Sequence, residues 1–163
     1  MYDLQILREL GCPESVIEHC IAVSKKALEI ADRVVIDIDR DIIKYGALFH
    51  DIGRCKTHGV EHGVVGAEVA RGLGFPEEIV NIIERHIGAG ITEEEAEVVG
   101  LPRKDYCPKT PEEKIVSYAD IITFGTKYVT FEEGLGGYKK ILGEGHPSIN
   151  RFKILREEIR SWM

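Results

Sequence analysis

Eight consecutive residues constrain this chain more than any others: Ala47-Leu48-Phe49-His50-Asp51-Ile52-Gly53-Arg54. They read as the end of a buried helix that breaks at a glycine, with an imidazole and a carboxylate side by side just before the break. Histidine and aspartate are costly in an apolar run unless something offsets their desolvation, and buried charges are normally paired or bound to metal. A cation held between nitrogen and oxygen donors is the economical resolution. Its remaining ligands have then to come from elsewhere in the chain.

Taken in order, the chain offers several. A short amphipathic helix over 2–10 ends at Gly11, and Val16, Val23, Ala27, Ile30 and Val34 predict a second helix from about Pro13 to Val34. His19 shares the inward face of that helix with Val16 and Val23. A lone inward histidine is ordinarily a hydrogen-bonded core residue, and only its partners can make it a ligand. Asp39 is the expected N-cap of a helix running to about Ile52, in which Ile43, Gly46, Ala47 and His50 share one face. The small residues Gly46 and Ala47 leave room there for another helix. Asp51 is offset by about 100° around the axis, so both side chains reach one ion only at the seam near the helix end. Gly53 is expected to close the helix in a left-handed conformation.

Beyond a polar loop over 54–60, a helix over about 61–72 carries His62 in its first turn, where on its own it reads as a surface residue. Phe75-Pro76-Glu77-Glu78 opens a helix with Ile79, Ile82, Ile83 and His86 in one stripe, closed by Gly88 and Gly90. Thr92 and Glu95 form a capping box for a short acidic helix, and 100–109 reads as a long loop. Thr110-Pro111-Glu112-Glu113 is the clearest helix start in the chain. In that helix Asp120 lies four residues after Val116 and faces inward, a costly position when unpaired. No basic residue sits within a turn of it. The glycine-rich stretch 131–145, around Tyr138-Lys139-Lys140, reads as a short helix between loops, because its glycines match no phosphate-binding motif. A last amphipathic helix spans 147–162, and with little strand signal anywhere the architecture is expected to be all-α.

A length of 163 residues suits one domain, by the usual prior of about 100–200 residues, and is enough for a hydrophobic core without disulfide staples. The net charge of −7 argues against a DNA groove or an anionic membrane as main partner. Cys12, Cys20, Cys55 and Cys107 form no CxxC pair, the first residues resemble no leader, and no apolar run approaches the ~20 residues that span a bilayer. A cytoplasmic location with free thiols is the expectation. Cys55, His58 and His62 have the spacing of a small zinc knuckle but lack a second close pair to complete it.

His19, His50, Asp51, His62, His86 and Asp120 thus stand at inward or helix-end positions of five predicted helices. Together they suit one or two divalent cations better than separate core histidines. Two ions about 3.5–4 Å apart clamp a phosphoryl group and turn water into a nucleophile at neutral pH. An early helical histidine, the doublet His50-Asp51-Ile52-Gly53 and a late helical aspartate resemble the HD-domain metal-dependent phosphohydrolases over about 16–125. Glu61-His62-Gly63-Val64-Val65-Gly66-Ala67-Glu68 and Ile82-Ile83-Glu84-Arg85-His86 resemble the two extra histidine motifs of that family's dinuclear branch. The branch includes the HD-GYP cyclic-dinucleotide phosphodiesterases and the symmetrical dinucleoside-tetraphosphate hydrolases, and this chain is most similar to small stand-alone HDIG domains.

The resemblance implies a helical bundle of roughly seven to eight helices, with a core over about 16–125 and a C-terminal helical extension over about 131–162. It implies that His19, His50, Asp51 and Asp120 hold one ion, with Asp51 bridging to a second held by His62 and His86. The ion would be Fe, Mn, Co, Ni or Zn. The implied activity is hydrolysis of a phosphoester or phosphoanhydride of a small nucleotide-like substrate through metal-activated water, with Asp51 at the reaction centre. His86-Ile87 stands where the HD-GYP pattern has paired histidines, and that group's Gly-Tyr-Pro signature is missing, so cyclic di-GMP is not the expected substrate. Arg54, Lys56 and Lys127 are candidates to contact substrate phosphate, although Arg54 and Lys56 read equally well as a solvated loop. His58 is a candidate proton donor. The segment from the doublet to His62 is short and leaves little loop to build a pocket. Two other readings share this ligand set: a mixed-valent di-iron oxygenase, and a regulatory domain that keeps metal without turnover. An oligomer is compatible with the sequence.

Overall fold

A computed structural model describes residues 2–163. In chain order its elements are α1 (Gln5–Glu9), α2 (Glu14–Ala31), α3 (Arg40–Phe49), α4 (His62–Gly72), α5 (Glu77–Arg85), α6 (Glu93–Val99) and α7 (Pro111–Ile121). A hairpin of β1 (Thr123–Phe124) and β2 (Lys127–Tyr128) follows, then α8 (Phe131–Leu142) and α9 (Ser148–Ser161). The helical architecture expected from the periodicity is the one observed, and the short α1 and α6 bring the count among the described residues to nine helices. None of these helices is long and apolar enough to cross a membrane.

The helix starts follow the capping chemistry written in the sequence. The Asp39 carboxylate accepts from the Asp41 and Ile42 N–H groups at 2.9 and 3.1 Å, satisfying donors that the first turn leaves free. Thr92 and Glu95 cap each other's backbone. At α7 the Thr110 hydroxyl accepts from Glu113 N–H at 3.2 Å, with Pro111 at the first position. The Glu113 carboxylate is buried. It accepts from Lys109 N–H at 2.7 Å and from the Arg85 guanidinium at 2.9 Å, tying α7 to α5.

Two local expectations change. Helix α3 stops at Phe49, and Ile52–Cys55 forms a separate 3-10 turn in which Gly53 does not take a positive φ. Gly53 is needed for a different reason: a Cβ there would run into the His62 carbonyl oxygen and lie 2.8 Å from the Gly66 nitrogen. Backbone therefore docks on backbone, and this close approach brings the first residue of α4 up to the doublet. The glycine-rich stretch, in turn, is a helix of 12 residues that runs straight through Gly134, Gly136 and Gly137.

The centre of the molecule is α2, α3, α5 and α7, packed against one another. One apolar cluster joins Val23, Ala47, Ile115, Ala119 and Phe152, and a second joins Leu7, Ile17, Phe49, Ile52 and Ile83. Helix α3 contributes Ala47 to the first and Phe49 to the second, so its end lies between two cores. Gly46 permits that arrangement, because a Cβ there would strike the Ile82 side chain of α5. The hairpin had no strand signal, and it is held to α2 by the Tyr128 hydroxyl, which donates to the Ala22 carbonyl at 2.9 Å.

Candidate metal centre

All six predicted ligands meet at the end of α3. His19 comes from α2, His50 and Asp51 from the exit of α3, His62 from the first turn of α4, His86 from the cap of α5 and Asp120 from the last turn of α7. His50, Asp51, His62 and His86 are buried, while His19 and Asp120 are half-buried. The surface reading of His62 is thereby corrected, since docking of α4 on the 3-10 turn carries it inside.

Each of the four imidazoles in the cluster is oriented by a backbone carbonyl on its Nδ1. His50 donates to Ala47 at 2.7 Å, His62 to Gly59 at 2.8 Å, His86 to Ile83 at 2.7 Å and His19 to the hairpin's Gly125 at 2.7 Å. A carbonyl oxygen only accepts, so each Nδ1 carries the hydrogen and each neutral ring presents a lone pair at Nε2. Those four Nε2 atoms converge. His62 and His86 bring theirs to 3.1 Å from each other, and both lie 3.2 Å from Asp51 Oδ1. His19 Nε2 lies 2.9 Å from Asp120 Oδ1, and His50 Nε2 lies 3.4 Å from that oxygen and 3.6 Å from Asp51 Oδ2. His50 Nε2 is buried with no hydrogen-bond partner. Asp51 thus faces two groups, His62 and His86 through Oδ1, and His50 with the Arg54 Nε (3.2 Å) through Oδ2.

Electrostatics states the same demand for positive charge. Burial works to neutralise Asp51, yet the charge of His50 and the close Nε2 atoms of His62 and His86 hold its carboxyl well below the usual range. Asp120 is lowered in the same way, against burial, by His50 and His19. Burial opposes a proton on His50, but the Asp51 and Asp120 carboxylates outweigh it and raise the imidazole well above its ordinary value. His86 goes the other way, pushed down first by burial. Two facing lone pairs at His62 and His86, with protonation of His86 disfavoured, are what a cation resolves. The donor set fits one: His19–His50–Asp51, Asp51–His62–His86 and His50–His86–Asp120 each bring their ligand atoms within 4.8 Å of one another. Among the described residues, no such group contains Cys55 or His58, so the zinc-knuckle reading falls. His62 spends its two nitrogens on Gly59 and on the shared cluster.

The cluster lines one side of a cleft of about 970 Å³, a size suited to a small ligand. Arg54 lines this cleft beside Asp51. Lys56 and Lys127 are exposed and line no part of it. His58 lines only a smaller neighbouring cavity of about 420 Å³. The other wall of the main cleft was not foreseen. It comprises Phe124 and α8, with Gly136, Gly137 and Tyr138. Tyr138 lies where the two cavities meet, and burial with the nearby Asp120 and Asp51 carboxylates raises its phenol, which keeps its proton. The glycine-rich composition was the one available signal for this wall.

The family model of the HD domain matches residues 16–125. An uncharacterized protein of Methanocaldococcus jannaschii is 52% identical over 161 residues, covering 97% of this chain and 95% of that one. A tRNA (cytidine(56)-2'-O)-methyltransferase of Picrophilus torridus is 40% identical over 158 residues, and this chain spans only 45% of its length. Among solved structures, the HD domain of L. monocytogenes phosphodiesterase PgpH aligns with a TM-score of 0.58 at 19% identity, over 99% of this chain and 97% of that one. That domain has also been solved in complex with cyclic-di-AMP.

Proposed function

We propose that this chain, which belongs to the HD-domain family, is a metal-dependent phosphohydrolase that cleaves a phosphoester or phosphoanhydride of a nucleotide-like substrate. The observation that carries this reading is the convergence of four carbonyl-oriented imidazoles, through Nε2, on two buried carboxylates. His19, His50, Asp51 and Asp120 would hold one divalent cation, and His62 with His86 would hold a second that shares Asp51. Mixed nitrogen and oxygen donors suit Fe, Mn, Co, Ni or Zn. When bound, such ions supply Lewis-acid activation of water and neutralise charge on the phosphoryl group.

The chain's own groups prepare the rest. Backbone carbonyls fix all four tautomers in advance, so the ligands need no reorganisation as charge develops. Arg54, held by Asp51 at the cleft edge, presents a planar guanidinium suited to two phosphate oxygens at once. Tyr138, which lines both cavities, retains its proton. His58 serves as proton donor only for a leaving group that extends into the smaller cavity. The phosphodiesterase PgpH and its cyclic-di-AMP complex support a nucleotide-like substrate for a domain of this shape.

The test is to strip the protein with chelator, reload it with Mn²⁺, Co²⁺ or Fe²⁺, and assay nucleotides, dinucleotides and bis(4-nitrophenyl) phosphate. Hydrolysis that requires metal, at up to two ions per chain, is expected. Oxygen uptake by a coloured iron form without phosphate release replaces this reading with the di-iron oxygenase. Bound metal with neither reaction replaces it with a regulatory domain.

A further inference from the structure

Helix α8 carries glycine at three of its 12 positions, although glycine is the least favourable helix-interior residue after proline. Gly134 is required, since a Cβ there would strike the Ile121 carbonyl oxygen. Gly136 and Gly137 are not: a Cβ on either meets nothing within 4 Å, and both line the cleft. The packing of the protein gives no reason for two adjacent positions without side chains. Their effect is to leave a stretch of helix backbone bare towards the cavity.

The same cleft carries an aromatic that the fold does not use. Phe124 is 80% exposed yet lines the cavity, as does Ile141 of α8, 81% exposed. Phe124 is not on a loose end. Its hairpin turns at Gly125, with φ of +61°, whose carbonyl accepts from His19, and is anchored to α2 through Tyr128. A ligand filling this space therefore has an anionic end at Arg54 and the His/Asp cluster and a flat apolar body along Phe124 and the bare face of α8. We infer that Phe124 and the Gly136–Gly137 face of α8 form a base subsite, in which the nucleobase stacks on Phe124 while the phosphate lies at Arg54. The inference rests on the hydrolase reading for its phosphate end only. Helix α8 lies outside the residues that the family model matches, whereas Phe124 lies just inside their end. Stacking on Phe124 grows with the size of the ring, so purines bind better than pyrimidines.

The experiment is calorimetric titration of the metal-loaded protein with AMP and with ribose 5-phosphate, which shares the phosphate and lacks the base. AMP is expected to bind tighter by at least about 5-fold, the low end for stacking one base on an aromatic side chain. Phe124→Ala and Gly137→Leu should each erase that difference and leave ribose 5-phosphate affinity unchanged. Gly137→Leu should not lower the thermal midpoint, since a Cβ there meets nothing within 4 Å and leucine favours the helix. Equal affinities in the unaltered protein, or an AMP preference that survives both substitutions, overturn the subsite. So does a dimer that Phe124→Ala splits in sedimentation with AMP binding untouched, because the aromatic is then an interface between copies. Binding and turnover separate the two readings. AMP preference without hydrolysis of any substrate sinks the hydrolase alone, and cleavage of bis(4-nitrophenyl) phosphate without base preference sinks the subsite alone.

Discussion

On the ligand side of the cleft, each imidazole has one nitrogen tied to a backbone carbonyl and the other aimed at a shared carboxylate. On the α8 side, two glycines face open space and an aromatic stands out into solvent. The ligand side is over-determined by the fold, so that a change there disturbs packing and charge together. The α8 side is under-determined, so that a change there should alter what binds and little else. Under the proposed function, chemistry and selectivity are carried by regions with opposite structural tolerance.

The largest effect that tests this contrast is at Asp51. Asp51→Asn should lower metal content below one ion per chain and cut turnover by at least the order of 10²–10³-fold, the usual loss for one preorganised electrostatic group. Elemental analysis and a hydrolysis assay read the two losses. Two ions retained per chain in this variant defeat the shared role of Asp51. A loss confined to substrate affinity, the behaviour expected of Phe124→Ala, erases the contrast itself.

Metal loading comes next. A cation at about 100 times its dissociation constant stabilises the folded state by roughly 2.7 kcal/mol, or about 5–10 °C in thermal midpoint for a chain of this size. Scanning calorimetry before and after reloading the chelated protein should show that shift in the unaltered chain and in Gly137→Leu, and its loss in His50→Ala. A midpoint indifferent to every ion means that the four Nε2 atoms are content without one.

Gly53→Ala should follow, costing about 1–3 kcal/mol or more by overpacking, because the new methyl meets the His62 carbonyl and the Gly66 backbone. Metal titration is expected to show the site of His62 and His86 weakened more than that of His19 and Asp120, since it is α4 that must move. Wild-type stability in this variant would mean that α4 does not dock backbone to backbone.

The same contrast explains what could be read in the sequence. The doublet was legible because a histidine and an aspartate in an apolar run are chemically conspicuous. His86 and Asp120 were legible because helical spacing aims them inward. Three of the imidazoles are moreover oriented by the carbonyl three residues before them, which is local structure. The role of Gly53 was misread because a sequence shows a missing side chain but not the backbone that takes its place. Lys56 and Lys127 stand near the motif in sequence, but both are exposed and neither lines the cleft, which composition does not reveal. The α8 wall stayed hidden for a stronger reason. Its place opposite the ligand residues is set where segments more than a hundred residues apart, such as His19 and Gly125, are packed together.

The smallest effect is the most diagnostic for that wall. Gly136→Ala should raise stability by up to about 1 kcal/mol, the helix propensity gained where a methyl meets nothing within 4 Å. At this chain length that is about 2–4 °C, measurable by calorimetry. A glycine kept at such a position carries a cost in helix stability that the fold does not repay, so any advantage it has lies in what the cleft admits. If the variant gains stability and loses AMP affinity by a few-fold, the two residues trade helix stability for room. A variant that gains stability and binds AMP as before leaves α8 a weak helix without a purpose in binding, and the selectivity of the cleft then rests on Phe124 alone.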